Sequence, residues 1–157
     1  QWLYMTLLGD GKLSYAGVTD WHAGKISQRA NEWSAKAVVL AAAELSDKLF
    51  IVIDEGTEEV LIRTFVRKDG LMKNPKLAVS MTKAFQAVAS RKIRAVIVWE
   101  LQRAKKEDPT LPAWEKPAVM TILKQSAANP REVVADLPVA AETYVIGTPL
   151  GVGLGVG

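Results

Sequence analysis

The stretch Leu49-Phe50-Ile51-Val52-Ile53-Asp54-Glu55-Gly56-Thr57-Glu58-Glu59-Val60-Leu61-Ile62-Arg63-Thr64-Phe65-Val66 decides how this chain is built. Two apolar, β-branched runs flank a polar segment that contains a glycine. Such runs suit pleated, half-buried backbone, and the segment between them suits a tight reversal. The pattern predicts a β-hairpin with strands over 49–53 and 60–66. Upstream the period changes to helical. Ser34 can cap a helix over 35–47, whose Val38, Ala41, Ala42 and Leu45 follow 3.6-residue spacing. Thr19 or Asp20 can cap another over 21–30, which turns Trp21, Ile26 and Ala30 inward. Leu13 to Val18 reads as a short strand, and Gln1 to Leu8 as the end of a largely buried helix stopped by Gly9-Asp10-Gly11. Helix, strand, helix, helix, hairpin is the element order of a winged helix-turn-helix.

Downstream of the hairpin, Asp69-Gly70 breaks the chain, and Asn74-Pro75 sets a cap residue before proline at the first helical position. Leu77, Met81, Ala84, Phe85 and Val88 then form an apolar stripe. Ser90 starts a further helix over 91–106, with Ile93, Val96, Ile97 and Leu101 on one side. Pro109, Pro112 and Pro117 bracket a loop that holds Trp114, and a short helix is expected near 117–128. The expected fold is therefore mainly α with a small β-hairpin: a winged helix-turn-helix domain over 1–68, a basic helical extension over 69–130, and a tail or linker over 131–157. Gln1 stands where an initiator Met would be, so a further segment before it is expected.

Charge is distributed unevenly. Residues 1–66 carry 6 Lys/Arg against 9 Asp/Glu, residues 67–106 carry 11 against 2, and residues 107–157 carry 3 against 6. A cationic middle third between acidic flanks points to a polyanionic partner. With no cysteine, disulfides and thiolate metal sites are excluded, and a reducing cytoplasm suits the composition. No stretch reads as a membrane span, because charges, prolines and glycines interrupt the apolar region after Val133.

Residue patterns for catalysis are weak. His22 is the only histidine and reads as a half-exposed residue at a helix start. No serine has a nucleophile-elbow context, and the late glycines lack the Gly-Lys-Ser/Thr of a phosphate loop. Asp54-Glu55 and Glu58-Glu59 sit on a hairpin tip, where solvated charge is the ordinary state. Neither an enzyme nor a metal or cofactor site is expected.

Nucleic-acid binding fits better. The second helix of a helix-turn-helix presents its N-terminal residues to base edges, here Ser34 and Lys36, with Lys25, Gln28 and Arg29 arriving from the preceding helix and turn. Arg63, Arg67, Lys68, Lys73, Arg91, Lys92 and Arg94 would hold the phosphate backbone. Against this, Ala37 to Ala43 offers no side-chain hydrogen bonds, and the wing is acidic. Glu55, Glu58 and Glu59, together with Trp114 in its proline-bounded loop, are instead candidates for a protein partner. The other four tryptophans, Trp2, Trp21, Trp33 and Trp99, read as core.

Several phrases carry a resemblance. Gln1-Trp2-Leu3-Tyr4, Leu13-Ser14-Tyr15-Ala16-Gly17-Val18, Ala41-Ala42-Ala43-Glu44-Leu45 and Leu61-Ile62-Arg63-Thr64-Phe65-Val66-Arg67-Lys68-Asp69-Gly70 resemble the winged helix-turn-helix proteins of actinobacteriophages and their prophages, over about residues 1–106. Some members of that family are replication-initiator-like. The resemblance implies a double-stranded DNA-binding protein acting in replication initiation or transcriptional control in the cytoplasm of a bacterial host. The alternative is an adaptor that binds a host or phage replication protein through the acidic wing and the apolar third helix, with a homodimer as one form.

Overall fold

The two apolar runs around the acidic turn do pair. In a computed structural model, which describes residues 1–68 and 70–134, Ile51–Asp54 (β2) lies antiparallel to Glu59–Ile62 (β3) in the register Ile51↔Ile62 and Asp54↔Glu59. A third strand, Val18–Asp20 (β1), pairs on the other edge of β3, with Val18 opposite Leu61. The spatial order β1-β3-β2 makes a small antiparallel sheet in a chain that is otherwise mainly helical. Ahead of β1 comes α1 (Trp2–Leu8), and between β1 and β2 come α2 (Ala23–Ser27) and α3 (Ala35–Asp47). After the sheet come α4 (Pro75–Ala87), α5 (Arg91–Glu107), α6 (Pro117–Leu123) and α7 (Pro130–Val134).

Side chains alternate across a strand, and here both faces of the sheet are covered. Ile51, Ile53, Val60 and Ile62 pack with Leu3, Leu7, Trp21, Ile26, Val38 and Ala42 of the α1–α3 layer. Val18, Val52 and Leu61, pointing the other way, join Ala78, Met81, Phe85, Ile93, Ile97 and Leu101 of α4 and α5. The molecule is thus helices, sheet, helices. Val18, Val52 and Leu61, all before residue 69, share one apolar core with the helices after it. That sharing explains why the strand runs are continuously apolar: a sheet buried on both sides needs no alternation.

Caps fix the helix starts as the sequence suggests. The Ser34 hydroxyl accepts from the Ala37 amide at 3.0 Å, Asn74 Oδ1 from the Lys76 amide at 3.0 Å, and the Ser90 hydroxyl from the Ile93 amide at 3.0 Å. At the end of α3, the Phe50 and Leu49 amides donate to the carbonyls of Leu45 and Ser46, each at 2.9 Å. This paired closure needs a left-handed residue, and Leu49 adopts it at φ 61° where glycine is the usual occupant.

Several expected boundaries move. Leu13 to Gly17 forms a turn instead of a strand, because the Ser14 carbonyl accepts from the Gly17 amide at 2.9 Å and its hydroxyl from the Ala16 amide at 3.3 Å. Gly17 sits at φ +81°, and a Cβ there would lie 2.6 Å from Phe65 Cβ, so only glycine fits under that ring. Thr19 and Asp20 consequently belong to β1, and α2 starts only at Ala23 and stops at Ser27. The hairpin strands are shorter than expected, since Leu49 and Phe50 serve the α3 closure and Phe65–Arg67 turns into a 3-10 helix. The helix expected over 117–128 ends at Leu123. Residues 131–134 of the expected tail belong to α7, with Val133 and Val134 buried; the remainder of that tail, 135–157, lies outside the described residues.

Candidate nucleic-acid interface

The cations expected to hold a phosphate backbone divide into two groups. Arg63 and Arg67 turn inward. Arg63 Nε donates to the Leu49 carbonyl at 2.6 Å, and its Nη1 meets Glu100 Oε1 at 2.5 Å. Arg67 Nη1 reaches Glu100 Oε2 at 3.1 Å and Nη2 reaches Glu107 Oε1 at 2.6 Å. Glu100 is 0% exposed, and the arginine side chains are 18% and 21% exposed. A carboxylate removed from water needs cations and hydrogen bonds around it, and these two guanidiniums supply them. Arg67 holds its proton more firmly than an ordinary arginine, chiefly through the hydrogen bond to Glu107 and further through Glu100, against the opposing effect of burial. Arg63 and Arg67 are therefore struts between the 3-10 turn and α5, which corrects the expectation that they face DNA.

Glu100 went unnoticed in the sequence, yet a signal was present. It sits three residues after Ile97 and beside Leu101, within the apolar stripe of α5, where a carboxylate must find buried partners.

Lys68 and Lys73 have local neighbours. Lys68 Nζ donates to the Tyr4 hydroxyl at 2.9 Å, and Lys73 is exposed beside a cleft that it shares with Glu107 and Asp108. Arg91, Lys92 and Arg94 differ. Arg91 is exposed, Lys92 and Arg94 are half-buried, and none forms an ion pair among the described residues. Of the 11 cations in 67–106, only Arg67 does so. Arg103 lies over the half-buried Trp99 ring, 4.7 Å from its centroid. Arg91 and Arg94 also line a cleft of about 430 Å³ together with Ala95, Val98, Lys124 and Gln125.

The second expected group lies on the other helical layer. Lys25, Gln28 and Arg29 are exposed on α2 and the turn after it, and Lys36 on the first turn of α3. Arg29 Nη2 is 3.5 Å from Asp10, whose carboxyl titrates below the usual range. Burial raises it, but the hydrogen bonds from the Lys12 amide and the Thr19 hydroxyl and the Arg29 charge outweigh that. Ser34 is occupied as the α3 cap. Beyond the first turn, the outward residues of α3 are Leu40, Glu44 and Asp47, an apolar and acidic surface unsuited to a phosphate-lined groove.

The partner-binding candidates also divide. Trp114 is 4% exposed, with its indole N–H donating to the Asp108 carbonyl at 2.7 Å, so it is a core residue and not a contact. Glu59 accepts from the amides of Ser90 at 2.8 Å and Ala89 at 3.1 Å, while Asp54 accepts from the Ser90 hydroxyl at 2.6 Å. The acidic end of the hairpin therefore clamps the start of α5, where carboxylates complement the helix dipole. Glu59 is engaged in that clamp. Glu55 and Glu58 remain exposed, with Glu58 3.5 Å from His22 Nε2.

Among the described residues no group of three or more His, Asp or Glu could hold a metal ion, and no helix is long and apolar enough to cross a membrane. Comparison with known families, characterised proteins and solved structures returns no match.

Proposed function

We propose that this chain is a winged-helix protein of the actinobacteriophage type that binds double-stranded DNA, in replication initiation or transcriptional control. The observation that carries the reading is the set of cations on α4 and α5 that no described carboxylate neutralises. An unpaired cationic surface on a folded domain attracts counterions, and DNA releases them on binding. The order α1-β1-α2-α3-β2-β3 with the sheet order β1-β3-β2 supports the winged-helix part. Within this reading, α5 and its neighbours hold the backbone, and Lys25, Gln28 and Lys36 add contacts from the other layer. Base readout through α3 is confined to its first turn, because Leu40, Glu44 and Asp47 occupy the rest of its outward side.

A titration of labelled mixed-sequence duplex at two salt concentrations tests this. Binding that weakens steeply as salt rises is expected, and absence of binding at low salt overturns it.

A second reading has its own observation. Tyr4, Met5, Leu45 and Phe50, with Glu44 and Lys48 beside them, line a largely apolar groove of about 640 Å³ between α1 and α3, with Met5 65% and Phe50 49% exposed. Exposed apolar surface of this kind suits a protein partner, as the adaptor hypothesis requires. Loss of a partner on Met5→Glu with duplex binding unchanged would favour it.

A further inference from the structure

Arg91, Arg94, Ala95 and Val98 recur at i, i+3, i+4 and i+7, so they share one face of α5. The chain just past the end of α6 brings Lys124 and Gln125 to the lining of the same cleft. Two arginines and a lysine thus line one concavity, and no described carboxylate pairs with any of them.

Lys124 is the C-cap of α6, where the helix dipole favours a cation, but Arg91 and Arg94 lie in the first turn of α5, where it disfavours them. Two of the α6 end carbonyls are bonded by neutral groups: Leu123 accepts from Gln102 Nε2 at 3.1 Å and Ile122 from the Gln125 amide at 3.0 Å. At the start of α5, Ser90, Asp54 and Glu59 satisfy the amides and the dipole from the hairpin side. Like charges gathered around a shared cleft repel one another unless an anion sits between them.

We infer that this cleft is a phosphate-group site, which takes a phosphodiester of a nucleic-acid strand between Arg91, Arg94 and Lys124. The inference rests on the DNA-binding reading and adds Lys124, which lies outside the cationic segment. A guanidinium presents a planar fork of donors that matches phosphate oxygens, and two forks with one ammonium suit a tetrahedral oxyanion. Contacts from Arg91, Arg94 and Lys124 to phosphate oxygens position a strand and carry no sequence information.

The test uses the whole chain in two arms. In the first, duplex affinity is measured across salt for the unaltered chain, for R91A/R94A/K124A, and for Lys124→Glu, a change at an exposed position that leaves packing intact. The triple variant removes one phosphate contact and is expected to flatten the slope of log K against log salt by about 1, and Lys124→Glu is expected to flatten it in the same direction by less. In the second arm, side-chain resonances of Arg91 and Arg94 are followed by NMR as inorganic phosphate is added. Duplex binding with unchanged slopes in both variants overturns the site while the general reading stands. Absence of duplex binding, with phosphate-dependent shifts at Arg91 and Arg94, upholds a site for free phosphate and overturns the DNA reading. Neither duplex binding nor shifts overturns both.

Discussion

The two helical layers that sandwich the sheet use charge in opposite ways. On the α1–α3 side, the helix expected to read DNA presents Leu40, Glu44 and Asp47 beyond its first turn, and Arg29 is drawn to Asp10. On the α4–α7 side, Glu100 is spent on Arg63 and Arg67, which leaves Arg91, Arg94 and Lys124 without described partners around one cleft. The contrast teaches that cations equivalent in sequence divide by what faces them. Arg63 and Arg67 serve the fold, and Arg91 and Arg94 are available to a ligand.

The strongest way to break this contrast is to remove the buried acid. Glu100→Ala leaves two partly buried guanidiniums without their shared partner and is expected to cost about 3–5 kcal/mol in urea unfolding. R91A/R94A should change stability by no more than about 0.5 kcal/mol, since neither charge is paired. Equal losses in the two variants would erase the distinction. Arg63→Ala, which removes both the Leu49 carbonyl bond and one Glu100 contact, should cost about 2–3 kcal/mol in the same measurement.

Smaller effects sharpen the picture at the hairpin. Ser90→Ala deletes the α5 cap and its bond to Asp54, and about 1–2 kcal/mol is expected. Asp10 gives the smallest effect and the only one tied to pH. Its folded carboxyl titrates below its unfolded value of about 3.9, so its contribution is present above that pH and disappears as pH falls through the folded value. Asp10→Asn should therefore lower stability slightly at neutral pH and narrow the gap between neutral and acid unfolding midpoints.

Much of the fold was legible because local signals and packing agree. Ser34, Asn74-Pro75 and Ser90 each cap the helix expected of them, and the runs around Asp54 to Glu59 pair as a hairpin. The first strand was displaced because Gly17 and Ser14 close a turn dictated by the Phe65 ring, a contact distant in sequence. The site was legible only as an excess of charge. That Arg63 and Arg67 fold inward follows from Glu100 lying in the apolar stripe, and that Glu59 clamps Ser90 follows from tertiary approach across 31 residues. Trp114 in its proline-bounded loop suggests a contact with a partner, but the Pro112–Glu115 3-10 turn carries its ring into the core. Lys124 could not be joined to Arg91 from sequence, since only the packing of α6 on α5 brings them together.

The most direct measurement compares the layers with one ligand: duplex affinity at low salt for R91E/R94E against K25E/K36E. Reversal on the α5 side is predicted to weaken binding at least about tenfold more than reversal on the α2–α3 side. A larger loss from K25E/K36E would contradict the assignment of the phosphate-gripping surface to α5.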